Sequence, residues 1–454
     1  MNICEVATKY GGLIGVQNQG ILTFRGIPYA KPPVGDLRFA PPVPPQAWEG
    51  TRDARNRRPI APQPASDLDL PMGPVTAPQS EDCLTLTVNT PALDGARPVA
   101  VWFHGGANFC GGGDLEWYDG GKLARTGNLV VVGVNFRLGA LGFMMYPGLN
   151  EQNLSILDQM AALRWVKENI RAFGGDPEQI TLFGQSAGAN AILHILSLPE
   201  SEGLFHRIIL QSPSINRANH THENAYSIGK TILEQMEIDT SAKAAVVAEK
   251  ARQKITAEIL SASAKATELI GKTYGGMLFK PVMDPWSTEE TTIEAAVVEA
   301  ARRRLPIMIG TTRSEFQGFN PCRDAQGRAQ NLRNQIQRFD GPAMAFASRA
   351  SDEGCPVWKY RFDWSAEGNP FEACHCIELP FVFGNLETWG DKALMLKGAS
   401  MEEMERLREY IMPYWCRFMA SGEQPADLWP RYSREKPIHK IFDNQENCFK
   451  EIVL

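Results

Sequence analysis

The sequence predicts an α/β fold in which a central, mostly parallel sheet carries helices on both faces. Short, unbroken apolar runs recur in the first half of the chain, at residues 98–103, 129–135, 179–183 and 207–210. Stretches with helical apolar spacing lie between them, at residues 155–173 and 187–198. Unbroken apolar strands that alternate with helices are typical of a parallel sheet buried on both faces.

The second half of the chain continues this sheet after a helical insertion. Residues 222–270 have helical spacing and are rich in Ala, Lys and Glu, so we expect an insertion at about 220–300 that lies over the sheet. Strand character returns at residues 305–310 and 357–362, and an amphipathic helix follows at 401–418. No Gly/Ser-rich or charged linker interrupts the sequence, which predicts one domain over residues 1–454.

Composition argues against several classes of protein. The 454 residues include 46 basic and 52 acidic side chains, for a net charge of −6, and no basic stripe indicates a nucleic-acid partner. No apolar run approaches the roughly 20 residues that span a bilayer. The first ten residues lack the features of a signal peptide, and the nine cysteines are odd in number and irregularly spaced. We therefore expect a cytoplasmic protein with reduced thiols; the sequence does not indicate its oligomeric state.

The most informative motif is Gly-Gln-Ser-Ala-Gly at residues 184–188. It fits the G-x-S-x-G turn that joins a strand to a helix and exposes a serine hydroxyl at the edge of a sheet. Glycine is needed at both ends because side chains there would collide with the neighbouring strand and helix. Ser186 is therefore the candidate nucleophile. The alternative is a glycine-bordered turn whose serine only caps the following helix.

A serine hydroxyl needs a base to accept its proton. Where the serine lies on such a turn, the acid and then the histidine follow it along the chain. Of the seven histidines, only His375 and His439 lie beyond the strand at 305–310. His375 follows the strand at 357–362 and is the candidate base, whereas His439 is expected at the surface. Cys-His-Cys at residues 374–376 suggests a metal site, but no second ligand pair accompanies it, so we expect no metal.

The acid that orients this base should follow the strand at 305–310. Glu315 lies in the turn directly after that strand and is the candidate, with Asp324 as the alternative. Asp284 precedes the strand and fits the order less well.

Backbone amides must also stabilise the negative charge that develops on the substrate oxygen. The His-Gly-Gly-Ala-Asn run at residues 104–108 follows a strand and offers small residues that admit a close approach. The candidate donors are the amides of Gly106, Ala107 and Ala187. The neighbouring glycines at 111–113 lack the spacing and the following helix of a phosphate-binding loop and are predicted to form a packing turn.

Longer motifs extend along most of the chain, at residues 26–30, 33–39, 81–88, 135–139, 157–159, 173–188 and 378–384. Through them the chain resembles the type-B carboxylesterase/cholinesterase family of α/β hydrolases and, among bacterial members, the p-nitrobenzyl esterases. The resemblance implies the α/β-hydrolase fold and the roles already assigned to Ser186, Glu315, His375 and the three amides. It also implies that Ser212 is a hydrogen-bond partner near this triad, although a serine that bonds only to backbone is an equal alternative.

Some positions depart from the family pattern. Asn108 stands where an aromatic residue is usual, which predicts a more polar pocket wall. Thr312 and Phe316 replace the residues usual around the acid. Only 60 positions separate Glu315 from His375 (375 − 315), so the segment at about 316–356 that borders the pocket is shortened.

The resemblance implies a serine carboxylic-ester hydrolase that acts through an acyl-enzyme intermediate on small to medium esters. Its partners would be a small ester and water, without a cofactor. Two alternatives use the same residues differently. One is a catalytically silent, cholinesterase-like binding module, and the other is an amidase or lactonase with the same triad.

Overall fold

The computed structural model describes residues 2–215, 219–282, 289–443 and 448–452. Within these ranges the strands are β1 (Asn2–Thr8), β2 (Gly11–Asn18), β3 (Ile21–Pro28), β4 (Thr51–Asp53), β5 (Thr85–Thr90), β6 (Arg97–Phe103), β7 (Val130–Val134), β8 (Gly175–Gln185), β9 (Arg207–Gln211), β10 (Ile307–Thr312), β11 (Val357–Phe362), β12 (Ile438–Phe442) and β13 (Cys448–Glu451).

The α-helices in the same ranges are α1 (Asp69–Met72), α2 (Gly121–Gly127), α3 (Gly139–Phe143), α4 (Leu154–Asn169), α5 (Ala187–Leu196), α6 (His222–Gln235), α7 (Ala244–Gln253), α8 (Thr256–Ile270), α9 (Glu289–Arg302), α10 (Ala325–Gln335), α11 (Gly341–Asp352), α12 (Leu379–Phe383), α13 (Leu386–Trp389) and α14 (Met401–Ser421). A π-helical segment, Ile336–Asp340, joins α10 to α11.

The described strands form one sheet in the order β1-β2-β3-β5-β7-β6-β8-β9-β10-β11-β12-β13, with β4 beside β2. Every neighbouring pair from β7 to β12 is parallel. The pairs from β1 to β7 along this order, and the pair β12–β13, are antiparallel. The predicted mostly parallel sheet is therefore confirmed, and the carboxyl ends of its central strands meet at one edge, where such sheets bind their ligands.

Alternate side chains of the central strands point to opposite faces, and helices cover both. On β6, Val101 and Phe103 pack into one core cluster together with residues of α4, α5, α9 and α11. Ala100 and Trp102 pack into a second cluster together with residues of α2, α12 and α14. This double burial explains why the strands read as unbroken apolar runs.

The insertion has a core of its own. Apolar residues of α6, α7 and α8 pack together with residues of α3, among them Leu141, Ile232, Val247 and Ile259. The loop that follows α8 then runs toward the carboxyl edge of the sheet. No described helix is both long and apolar enough to cross a bilayer.

The expectation that His439 lies at the surface is wrong. His439 belongs to β12, which pairs with β11 and is covered by β13, and its side chain is 3% exposed. Its ring packs at 6.0 Å from that of Tyr432. The flanking lysines and proline concealed this strand in the sequence, because only its last residues form an apolar run.

A buried ion pair joins two of the motifs noted in the sequence. Arg137 Nε and Nη2 donate to Asp158 Oδ2 and Oδ1 at 2.7 and 2.6 Å, and both side chains are almost fully buried. Arg137 Nη1 also donates to the carbonyl oxygen of Ala40 at 2.8 Å. The pair thus ties the N-terminal segment to α4 and to the turn after β7.

We predict that Asp158→Asn lowers the free energy of unfolding by about 3–5 kcal/mol, because it leaves a buried guanidinium without its counter-charge. Urea unfolding monitored by tryptophan fluorescence measures this. Glu168→Gln, which breaks the exposed pair between Lys9 and Glu168, is the matched control and should change stability much less. Equal effects of the two substitutions would contradict the prediction.

Candidate active site

Ser186 lies between β8 and α5 in a backbone conformation with φ 54° and ψ −120°. This region is strained for a residue with a side chain. The flanking glycines make the turn possible. A Cβ at Gly184 would lie 2.7 Å from the carbonyl carbon of Gly188, and a Cβ at Gly188 would lie 2.0 Å from the carbonyl oxygen of Phe103. The sequence motif therefore forms the strand–turn–helix elbow that it predicts.

Glu315 follows β10 directly, and its side chain is fully buried. Its Oε1 accepts hydrogen bonds from Ser212 Oγ at 2.7 Å and from the backbone amide of Thr312 at 2.8 Å. Ser212, at the end of β9, therefore contacts the carboxylate and does not bond only to backbone. The donor at position 312 is a backbone amide, which is present whatever the side chain. Threonine can therefore stand there, against the family pattern, and the hydrogen bond to Glu315 is kept.

His375 lies in the loop after β11 and is 1% exposed. Its Nδ1 lies 2.5 Å from Glu315 Oε2. The rings of Phe319 and Phe339 pack against the imidazole, each with its centroid 5.1 Å away. The carboxylate and the two aromatic rings together fix the orientation of the imidazole.

The alternative acids take other positions. Asp324 is exposed at the N-terminus of α10, where its side chain accepts from the backbone amide of Gly327 at 2.8 Å. Asp284 lies outside the described residues. Cys374 and Cys376 are buried free thiols, and the described residues contain no group of three or more His, Cys, Asp or Glu side chains placed to hold a metal ion.

The second imidazole nitrogen faces the elbow. His375 Nε2 lies 3.0 Å from Nε2 of Gln185, the residue that precedes Ser186. An amide nitrogen only donates, so the imidazole nitrogen accepts, and the imidazole proton resides on Nδ1, toward Glu315. The Ser186 hydroxyl forms no hydrogen bond with any described residue, although Ser186 and His375 line the same cavity. Unaligned serine–histidine contacts are common without substrate.

Sequence reasoning did not assign a role to Gln185, although it stands inside the motif. The only available signal was its position beside the nucleophile. In this structure its side-chain amide occupies the lone pair of His375 Nε2. The Ser186 hydroxyl could therefore bond to that nitrogen only by replacing the Gln185 amide.

The three candidate oxyanion donors lie around the elbow. Gly106 and Ala107 have φ angles of 104° and 50°, and both residues line the cavity with Ser186 and Ala187. The amides of Gly106, Ala107 and Ala187 donate to no other group in the described ranges, so they are available to a ligand. Glycine is required at 106, because a Cβ there would lie 2.1 Å from the carbonyl oxygen of Cys110.

His104 supports this loop from behind. Its ring stacks on Phe136 with centroids 4.4 Å apart, and its Nδ1 lies 2.7 Å from the carbonyl oxygen of Gly105. Burial lowers the pKa of His104 to about 4, so the ring is neutral at physiological pH. Gly113 packs against β7, since a Cβ there would lie 2.1 Å from the carbonyl oxygen of Val134, which agrees with the predicted packing turn.

A cavity of about 260 Å³ opens above Ser186. Its walls are mainly apolar and include Leu68, Phe109, Met277, Phe316, Phe319 and Phe339. The loop after α8 contributes residues 275–277, so the insertion reaches over the site. The expectation that Asn108 makes the wall more polar is wrong: its side chain turns away and donates to the carbonyl oxygen of Phe279 at 3.0 Å, and Phe109 lines the cavity in its place.

A second carboxylate, on Glu378, is buried behind the first. Its Oε1 accepts from Gln211 Nε2 at 3.1 Å, while its Oε2 has no hydrogen-bond partner among the described residues. Burial, followed by the negative charge of Glu315, raises the pKa of Glu378 to about 7. This carboxyl group is therefore largely protonated in weak acid and ionises near neutral pH.

A sequence model described as the carboxylesterase family matches residues 3–341. The para-nitrobenzyl esterase of Bacillus subtilis (strain 168) is 36% identical over 477 residues, which cover 97% of this chain and 95% of that protein. A probable N-octanoylanthranilate hydrolase of Rhodococcus erythropolis is 37% identical over 453 residues, covering 93% and 94%. The crystal structure of a Geobacillus stearothermophilus carboxylesterase superposes with a TM-score of 0.85 at 33% identity, covering 98% and 97%.

We predict that Glu378→Gln changes how stability depends on pH. Between the ordinary glutamate pKa of 4.5 and about 7, folded Glu378 holds a proton that the unfolded chain has released. Stability is therefore lost as pH rises through this window, and the loss is complete above about 7.

Glutamine mimics the protonated carboxyl and removes this loss. The variant should gain about 1–3 kcal/mol relative to the wild type between pH 5 and pH 8, as measured by urea unfolding at both values. Glu387→Gln, at an exposed carboxylate, is the control. Parallel pH curves for the Glu378 variant and the wild type would rule out the assigned ionisation.

Proposed function

The chain belongs to the carboxylesterase family and is a serine carboxylic-ester hydrolase, and we propose that Ser186 is its nucleophile, His375 its general base and Glu315 the acid that orients the base. The observation that carries this assignment is the 2.5 Å contact between Glu315 Oε2 and His375 Nδ1, in a cavity that also exposes the strained serine. With the ring proton on Nδ1, Nε2 can accept the serine proton once the Ser186 hydroxyl has replaced the Gln185 amide.

In the first half of the reaction, His375 takes the hydroxyl proton while Ser186 Oγ attacks the ester carbonyl carbon. The carbonyl oxygen becomes negative and accepts hydrogen bonds from the amides of Gly106, Ala107 and Ala187. The imidazolium then gives its proton to the alcohol oxygen. The alcohol leaves, and an ester of Ser186 remains.

In the second half, water takes the place of the alcohol. His375 accepts a proton from this water as it attacks the acyl carbon, and the same three amides again stabilise the oxyanion. The imidazolium returns the proton to Ser186 Oγ, and the carboxylic acid is released. In both halves of the reaction, the carboxylate of Glu315 stabilises the imidazolium and itself remains ionised.

The substrates are small to medium carboxylic esters. A cavity of about 260 Å³ with predominantly apolar walls supports this range. One relative is named for a p-nitrobenzyl ester, which supports an alcohol group that carries an aromatic ring. Another is named for N-octanoylanthranilate, an amide, and supports a medium acyl chain. Ester and water are the only reactants that the mechanism needs.

We assign the protein to the cytoplasm of a bacterium on two supports. Two of the relatives reported above are from bacteria. All eight cysteines whose side chains are described are free thiols, and most are buried, as is common in a reducing compartment.

We predict that Ser186→Ala lowers kcat for p-nitrophenyl acetate by about 10⁵–10⁶-fold, because no other group supplies the nucleophile. The variant should also lose covalent labelling by a fluorophosphonate. Ser197→Ala is the matched control, since Ser197 Oγ only donates to the carbonyl oxygen of His194 at the end of α5. Retained turnover in Ser186→Ala would refute the assignment, and absence of labelling in the wild type would favour the silent binding module.

We predict that Ser212→Ala lowers kcat about tenfold to a hundredfold and leaves KM unchanged, because Glu315 Oε1 loses one of its two donors. Steady-state kinetics with the same ester separates the two constants. Ser348→Ala removes another buried serine, whose hydroxyl bonds to that of Tyr432, and controls for the loss of a buried hydrogen bond. A rise in KM at constant kcat would show that Ser212 does not act through Glu315.

A further inference from the structure

The cavity above Ser186 contains a guanidinium that the ester hydrolysis does not use. Arg338 lines its wall together with four phenylalanines, Phe109, Phe316, Phe319 and Phe339. The side chain is partly buried, and its guanidinium carbon lies 5.2 Å from the centroid of the Phe316 ring. Within the described ranges, no carboxylate forms an ion pair with Arg338, and no hydrogen bond reaches its guanidinium.

The backbone holds Arg338 at a fixed position relative to the triad. The π-helical segment Ile336–Asp340 is a rare conformation that often marks functional sites, and here it lets two consecutive residues, Arg338 and Phe339, line the same cavity. The residue before this segment, Gln335, accepts from the backbone amide of Glu315 at 3.1 Å and donates to Asp340 at 2.8 Å. The segment is thereby anchored to the acid of the triad.

The cavity wall offers Arg338 no buried counter-charge. Asp67 is the acidic residue of this wall, but its side chain is exposed, whereas burial lowers the pKa of Arg338. A guanidinium remains charged at any physiological pH. A partly buried charge without a partner costs free energy, which an anion bound from the substrate would recover. The planar fork of a guanidinium matches the two oxygens of a carboxylate.

We propose that Arg338 binds a carboxylate group on the substrate, so that the enzyme prefers anionic esters, such as half-esters of dicarboxylic acids or esters of phenols that bear a carboxylate. This inference rests on the proposed function of Ser186 and names the substrate class of that site. The apolar walls bind the chain or ring that links the ester to the carboxylate, and Arg338 binds the carboxylate. Uncharged esters of the same shape remain substrates, because Arg338 takes no part in the chemistry.

Two matched ester pairs test the proposal. Mono-p-nitrophenyl adipate and p-nitrophenyl methyl adipate place the charge, or its methylated counterpart, on the acyl side. Para-acetoxybenzoate and para-acetoxybenzamide place the charge, or its uncharged counterpart, on the alcohol side. For each pair, the ratio of kcat/KM for the anionic ester to that for the neutral ester is measured in the wild type, Arg338→Gln and Arg338→Lys.

We predict that Arg338→Gln lowers this ratio about tenfold or more for at least one pair and leaves turnover of the neutral ester nearly unchanged. Arg338→Lys, which keeps the charge and loses the fork, should give an intermediate ratio. Arg333→Gln is the matched control, since Arg333 is exposed on α10 and donates to Gln330. Competitive inhibition by adipate should weaken in parallel in Arg338→Gln.

Equal ratios in the wild type and Arg338→Gln for both pairs, with inhibition by adipate unchanged, would overturn the proposal. Such a result would leave the proposed function intact, because the neutral esters report on Ser186 independently of Arg338. We expect Ser186→Ala to lose turnover of the neutral ester and Arg338→Gln to retain it. These two results separate the role of Ser186 as nucleophile from that of Arg338 in binding the carboxylate. A thermal melt of each variant verifies that it is folded.

Discussion

The buried carboxylate of Glu315 is the group on which the geometry of the site depends. A charge without access to water must be satisfied by hydrogen bonds, and its partners come from three different places. Ser212 follows β9, Thr312 ends β10, and His375 follows β11. These groups meet only because β9, β10 and β11 are parallel and in the observed register, in which Ile307 pairs with Ile208 on one side and Val357 on the other. A slip by one residue would turn each strand's side chains to the opposite face, so the core that sets the register also assembles the carboxylate network.

Most of this arrangement could be predicted because the signals that encode it are local. Strands β6 and β7 contain unbroken apolar runs, and the elbow is set by glycines whose missing side chains leave room for β6 and α5. The same reasoning failed where position depends on distant neighbours. His439 is buried because β11 and β13 flank its strand, and nothing in its own segment records them. Asn108 leaves the cavity because the carbonyl of Phe279, from the insertion, accepts its amide. The π-helical segment was also beyond reach, since polar residues surround Arg338 and Phe339 in the sequence and the extra backbone residue has no signature of its own.

The imidazole is held on one side more firmly than on the other. Toward Glu315, a charged acceptor and two aromatic rings define its place. Toward the elbow, Nε2 meets a neutral amide from Gln185, a contact that a serine hydroxyl can replace at little cost because it exchanges one neutral donor for another. This asymmetry suits the base that we propose, which must keep its orientation while its reactive nitrogen changes partners between serine, leaving alcohol and water. The tautomer follows from the same asymmetry, because the ring proton stays on Nδ1, the nitrogen that faces a carboxylate.

The remaining charges lie on either side of the proposed triad. Glu378 is buried behind Glu315, where a second ionised carboxylate would repel the first. Burial, followed by the negative charge of Glu315, limits this repulsion by raising the pKa of Glu378 to about 7. Arg338 lies on the other side, in the wall of the cavity, and among the described residues no carboxylate forms an ion pair with it. An ester that carries its own carboxylate would therefore bring the counter-charge to the side of the site where one is missing.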